Sequence, residues 1–279
     1  MLSGLLNLLV LGAMAYAGLC ALLYFRQESS IFYPGPNDAQ LRRDFEPGRV
    51  EIATEGATLE GWWVENRDAP NDIVILYCGG NAEDVLYTAS TVSKFNARRM
   101  LVTNYRGYGG STGKPGQEAL YEDGLATYEH ALSKGVRADQ IVVMGRSLGS
   151  GVASMLAGSR RVRAAILITP FDSMAEVAAG HYPYIPVRLL LRHPFPSTEW
   201  ARKAQAPALL LAADRDTIIP QSHAKRLAEA WGGDTHVQVL PNTGHNDIEQ
   251  NPDYYRFINE FLAGPDTAHA LTGIPVRGQ

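Results

Sequence analysis

Hydrophobic and polar positions divide the chain into an unbroken apolar run, a short polar stretch and a long alternating body. Leu2 to Phe25 holds no charged residue. As a helix rising ~1.5 Å per residue it reaches about 36 Å, enough to cross a hydrocarbon core of ~30 Å. A signal peptide would want a basic leading region and a shorter apolar stretch, and neither is present. The run reads as a transmembrane helix. From Arg26 to about Pro47 the chain turns polar, and Pro34, Gly35, Pro36 and Pro47 break regular structure. It reads as a tether with some extended contact to the domain behind it.

Arg49–Thr54 and Thr58–Glu65 are strand-like around Glu55-Gly56-Ala57, a hairpin signal. Trp62 and Trp63 then face opposite sides, because successive side chains of a strand alternate. From Asp72 onward strands and helices alternate, as in a largely parallel sheet covered on both faces. The pattern predicts strands over 72–77, 100–104, 141–145, 164–168, 208–213 and 236–240. It predicts helices over 82–99, 118–134, 222–231 and from Asn251-Pro252, whose apolar stripe is Tyr255, Ile258, Phe261 and Leu262. Between Pro170 and Ala206 the alternation is interrupted by an aromatic and aliphatic segment. It reads either as a cap over a pocket or as ordinary helix packing.

Composition narrows the function. At 279 residues and 46% hydrophobic the chain can bury a full core, and a formal charge of −4 offers no basic face for nucleic acid. Cys20 and Cys78 lie far apart and define neither a disulfide framework nor a metal site. The glycine-rich stretch after residue 104 lacks Gly-Lys-Ser/Thr at phosphate-loop spacing, so nucleotide binding is not expected. Neither a cofactor nor a metal is expected.

The chemistry is carried by Ile141 to Gly151, IVVMGRSLGSG. A β-branched run enters Gly-Arg-Ser-Leu-Gly and leaves into a helical segment, which places Ser147 on a sharp strand-to-helix turn. Such a turn exposes the hydroxyl and points the N–H of Leu148 to where an oxyanion would form. An acyl-transfer serine also needs a base and an orienting acid, in loops at strand ends. Asp214 and Asp216 follow the strand 208–213, and His245 follows the strand 236–240. The chain order Ser, Asp, His is that of α/β-hydrolases. Asp172, after the strand 164–168, is a further acid within reach of a triad. His181, His193 and His223 lie in the interrupting segment or a helix, where packing or solvent contact is the usual role.

The stretches CGGNAED, NYRGYGGSTGKP, GRSLGSG, ADRDTIIP and NTGHND resemble the successive signatures of the α/β-hydrolase superfamily. More narrowly they resemble its membrane-anchored, bud-emergence-type serine hydrolases, over about Ser30 to Leu262. The resemblance implies an α/β fold with a mostly parallel central sheet, Ser147 as nucleophile, His245 as base and Asp216, shortly before Ile219-Pro220, as acid. It implies Asn81 as the second oxyanion donor beside Leu148, and a structural role for Arg106. Where relatives usually read His-Gly-Asn-Ala, this chain has Gly79-Gly80-Asn81-Ala82, which puts the rigidity of that loop in question.

The expected organisation is an anchor over 1–26, a tether over 27–48, a hydrolase domain over 49–263 and a flexible tail over 264–279. The expected function is hydrolysis of lipophilic carboxylic esters or thioesters at a membrane. The competing expectation is a scaffold of the same fold that has lost turnover. Arg26, Arg42 and Arg43 follow the span and lean the domain toward the cytoplasm, against Glu28, Asp38 and Asp44 on the same flank.

Overall fold

The computed structural model describes residues 2–264, and the expected tail therefore lies almost wholly outside the described residues. In chain order the elements are α1 (Leu2–Ile31), α2 (Ala39–Phe45), β1 (Arg49–Thr54), β2 (Ala57–Glu65), β3 (Val74–Cys78), α3 (Val85–Ser90) and β4 (Arg99–Thr103). There follow α4 (Gln117–Ser133), β5 (Ile141–Arg146), α5 (Leu148–Ser159), β6 (Ala164–Ile168), α6 (Met174–His181), α7 (Val187–Leu190) and α8 (Ser197–Ala201). The last are β7 (Ala208–Ala213), α9 (Ser222–Ala230), β8 (Thr235–Leu240) and α10 (Asp253–Ala263).

The strands form one sheet in the order β1-β2-β4-β3-β5-β6-β7-β8. The β1–β2 and β2–β4 pairs are antiparallel, and the ladder from β4 through β8 is parallel. This is the mostly parallel sheet that the alternating pattern predicts, in the arrangement that the motif resemblance implies. Strand alternation splits the core into two layers. Val74, Leu76, Ile141 and Val143 face α4 and α5, while Ile75, Tyr77, Val142 and Met144 face the opposite side with Ile258 and Leu262 of α10. Trp62 is buried in the second layer and Trp63 packs against the first, on opposite faces of β2.

One predicted element is overturned. The helix expected over 82–99 is only α3, followed by a 3-10 turn at Val92–Lys94 and an extended Phe95. Its start is set by Asp84, whose carboxylate accepts from the N–H of Leu86. It ends locally, where the N–H and hydroxyl of Thr91 both donate to the carbonyl of Thr88; beyond the 3-10 turn, Asn259 of α10 accepts from the N–H of Asn96 and donates to the carbonyl of Lys94, holding the chain off a helical path.

The polar stretch is more ordered than a tether. α1 continues to Ile31, and Phe32 beyond it is 5% exposed, in contact with the rings of His193 and Phe195. The N–H of Asp38 donates to Asp84 at 2.8 Å, and Arg42 of α2 forms a two-pronged pair with the buried Glu60 at 2.5 and 2.7 Å. Glu60 also accepts from the N–H of Gly110. Burial alone would raise its pKa, but Arg42 and Gly110 hold it below the usual carboxylate range. Residues 27–48 thus form a docked arm. The first half of α1 differs: its apolar side chains from Leu5 to Met14 face outward, and the helix is long and apolar enough to cross a membrane.

The interrupting segment divides in two. Phe195, Ser197 and Ala201 are fully buried, which is ordinary packing, whereas α6 buries only Val177, and Tyr184 and Leu189 stand exposed. The first half protrudes like a cap.

A docked arm makes a stability prediction. Phe32→Ala should cost about 3 kcal/mol, as for other buried phenylalanines, and lower the melting temperature by roughly 6–12 °C for a domain of this size. Thermal unfolding in detergent measures it, and a shift under about 1 °C would mean that the arm carries no stability.

Candidate active site

The candidate residues meet at the C-terminal ends of the parallel strands, where open α/β sheets place their sites. Ser147 follows β5, near the middle of the strand order, with φ of +49° and ψ of −115°. That left-handed backbone is strained for a serine and is held by its surroundings. Its N–H extends the β5–β6 ladder by donating to the carbonyl of Ile168 at 2.9 Å. The flanking glycines are required by close approach. A Cβ at Gly145 would lie 2.3 Å from the carbonyl oxygen of Gly149, and one at Gly149 would lie 2.0 Å from that of Cys78. Strand, turn and helix can cross this tightly only without side chains at those two positions.

Around the elbow the side chains form one chain of contacts. His245 Nε2 lies 2.9 Å from Ser147 Oγ, and His245 Nδ1 lies 2.7 Å from Asp216 Oδ2. Because a carboxylate only accepts, Nδ1 carries the proton and donates it, leaving Nε2 free to accept from the serine hydroxyl. The Asp216 side chain is fully buried. Its other oxygen accepts from the N–H groups of Ile218 and Ile219 at 2.9 and 2.7 Å, which fixes its rotamer.

The rival acids are engaged elsewhere. Asp214 is exposed, accepts from Thr243 N–H at 3.2 Å, and is held below the carboxylate range by the backbone of Asn242 and Thr243. Asp172 pairs with His223 at 2.7 Å and with Arg226. Burial pushes its pKa up, and those two partners bring it below the usual value. The other histidines are also partnered: His181 contacts the carbonyl of Ile218, and His193 accepts from the N–H of Gln117. Arg106 is locked onto the buried Asp123 and onto Glu122. Cys78 is buried and its thiol is pushed up to about 12 by desolvation, so it offers no thiolate.

The N–H groups of Leu148, at the first turn of α5, and of Asn81 have no protein acceptor among the described residues. The Asn81 loop is tied down on two sides despite Gly79. Asn81 Oδ1 accepts from the N–H of Tyr33 at 2.8 Å and from the hydroxyl of Tyr108 at 2.9 Å, and Ala82 N–H donates to the carbonyl of Tyr33. Glu83 accepts from Gly80 N–H and from the hydroxyls of Tyr77 and Thr88, each at 2.7 Å.

Sequence reasoning missed this bracing and missed Arg146, the variable residue of the pentapeptide. Arg146 Nη1 sits 3.9 Å from Glu83 and Nη2 donates to the carbonyl of His245 at 3.4 Å, so one cation touches both loops that flank the serine. Burial lowers its pKa, but Glu83, Tyr77 and Glu249 outweigh that and keep it charged. The only local signal was Glu83 within CGGNAED; the partners are remote in sequence. A solvent-open cavity of about 840 Å³ borders this side, lined by Asn81, Glu83, Arg146, Asn246 and Tyr254. Ser147 is not among its lining residues, and its walls mix aromatic and polar side chains.

A sheet of this order with a strained serine at the end of β5 defines an α/β-hydrolase. The serine hydrolase family model matches residues 116–262. An uncharacterized protein of Mycobacterium tuberculosis is 32% identical over 243 residues, spanning 85% of this chain and 86% of its own. Protein bem46 of Schizosaccharomyces pombe is 24% identical over 295 residues, 95% of this chain and 98% of its own. The chain belongs to the serine hydrolase family, in the bem46-type branch of the α/β-hydrolases. Solved structures agree on the fold. The Pyrococcus furiosus esterase Pf2001 superposes with a TM-score of 0.64 at 18% identity, over 83% of this chain and 98% of that one. Est1E from Butyrivibrio proteoclasticus with ferulic acid bound gives 0.64 at 16%, over 77% and 98%.

Proposed function

We propose that this serine hydrolase is anchored to a membrane by α1 and cleaves carboxylic esters or thioesters of lipophilic acyl groups through an acyl-enzyme on Ser147. The observation that carries the reading is the continuous contact from Ser147 Oγ through His245 to Asp216, at 2.9 and 2.7 Å. Ser147 Oγ attacks the carbonyl carbon while His245 Nε2 takes its proton. Asp216 stabilises the imidazolium that forms, without itself taking the proton. The N–H groups of Leu148 and Asn81 receive the developing oxyanion, and loss of one such donor typically costs ~10²- to 10³-fold in rate. His245 then protonates the departing alcohol or thiol. Water, deprotonated by the same nitrogen, releases the acid and restores the serine.

Two features argue for catalysis over the scaffold alternative. The strained φ of Ser147 is maintained, and the loop that lost its histidine is braced by Glu83 and Asn81 instead. The preference for lipophilic substrates rests on the apolar, outward-facing α1 beside a protruding cap. The basic residues after the apolar run, Arg26, Arg42 and Arg43, lean the domain slightly toward the cytoplasm.

Turnover of p-nitrophenyl esters tests the acid. Asp216→Asn should lose roughly 10⁴-fold in kcat, the size of loss seen when a triad aspartate becomes asparagine elsewhere, and Asp214→Asn should stay within a few-fold of wild type. The reverse ranking would sink the assignment. Across an acyl-length series on the detergent-solubilised enzyme, kcat/KM should climb up to about fourfold per methylene, from ~0.8 kcal/mol each, until the pocket is full. A maximum at acetate with steady decline would rule out an acyl-chain pocket.

A further inference from the structure

The tip of the cap, Tyr182 to Leu191, reads YPYIPVRLLL and carries one charge, Arg188. In a water-facing cap such a run would turn its apolar side chains inward. Here Tyr184 and Leu189 are 88% and 86% exposed. The tip lies alongside α1. Tyr16 OH donates to the carbonyl of Tyr184 at 2.7 Å. Gln27 Nε2 donates to the carbonyl of Leu190 at 3.2 Å, and its Oε1 accepts from Arg192 N–H at 2.7 Å.

These contacts fix the depth of the tip relative to the apolar run. Tyr16 precedes Arg26, the first charged residue, by a helical distance of roughly 15 Å, about half of a ~30 Å hydrocarbon core. We propose that the cap tip is immersed in the hydrocarbon layer beside α1, so that this face of the domain contacts the acyl chains of membrane lipids. The proposal rests on the reading of α1 as a membrane span and goes beyond it, because a tethered domain would keep its cap in water.

Most of the tip's backbone groups, and its one charge, have partners within the protein. Non-helical backbone at membrane depth must find partners within the protein. Pro183 and Pro186 have no N–H to satisfy. The N–H of Tyr182 bonds to α6, and those of Ile185, Val187, Leu189, Leu190 and Leu191 bond within the tip, while those of Tyr184 and Arg188 have no protein acceptor among the described residues. The carbonyls of Tyr184 and Leu190 are taken by α1. Arg188 turns back onto Glu176 of α6 at 2.6 and 2.8 Å. Arg192 pairs with Glu28 at 2.7 Å and stacks over Tyr24, near the level of Arg26. An apolar groove of about 120 Å³ runs between the tip and α1, lined by Leu23, Ile31, Ala178, Ile185 and Leu190. A hydrocarbon chain is the occupant whose chemistry suits it. An ester-bearing lipid would meet the cap without leaving the leaflet.

Spin labels on the full chain in phosphatidylcholine vesicles test the proposal. In a Cys20→Ala background, with the buried Cys78 left in place, labels are introduced through Leu189→Cys at the tip, Leu19→Cys in α1 and Lys225→Cys on exposed α9. Leu189 is exposed, so its replacement does not threaten the fold. The ratio of collision rates with oxygen and with a water-soluble nickel chelate should be several-fold higher at 189 and 19 than at 225. A ratio at 189 equal to that at 225, with 19 still protected, overturns the immersion and leaves the anchor standing. If 19 also matches 225, the anchor reading fails and the immersion falls with it.

Discussion

The site depends on how closely α5 approaches the ends of β3 and β5. Gly149 leaves no room for a Cβ against the carbonyl of Cys78, and Gly145 none against Gly149. The helix can therefore begin immediately after the strand, and Ser147 is forced into positive φ between them. The free N–H groups of the first helical turn then lie beside the serine by construction. A small side chain at either glycine would move the helix, the serine and those donors together.

The second requirement is that loops from three other strands arrive in register, and here polar contacts over long separations do the positioning. Arg146 touches the loop after β3 through Glu83 and the loop after β8 through the His245 carbonyl. Asn81 is held by Tyr108 from the loop after β4 and by Tyr33 from the arm that follows α1. The arm that joins α1 to the sheet is thus the same segment that braces the Asn81 loop.

The parts legible in the sequence are those set by local periodicity and turn chemistry. Strands 164–168 and 208–213 fall at their predicted bounds, and the helix over 117–133 is shifted by one residue, because continuous apolar runs and capped amphipathic stretches carry their own boundaries. The elbow was legible because GRSLGSG encodes its own geometry. The order Ser, Asp, His pointed to residues that the fold brings into contact, and the burial of Asp216 against the exposure of Asp214 separates two candidates that motif position alone ranks. What was not legible depends on distant partners. The path after α3 is held by Asn259 of α10, and the arm over 27–48 docks through Phe32, Asp38 and Arg42 onto residues that the local pattern does not connect to it. Both halves of the interrupting segment carry apolar residues, and they differ in what surrounds them.

Covalent labelling of the full-length protein by a fluorophosphonate, followed by peptide mapping, tests the central claim that Ser147 is an activated nucleophile. The account predicts a single adduct on the peptide containing Ser147, abolished by Ser147→Ala and slowed by several orders of magnitude in His245→Ala, whose fold is checked by an unchanged melting curve. An unlabelled Ser147 under conditions that label a control serine hydrolase, or equal labelling of wild type and His245→Ala, would contradict it.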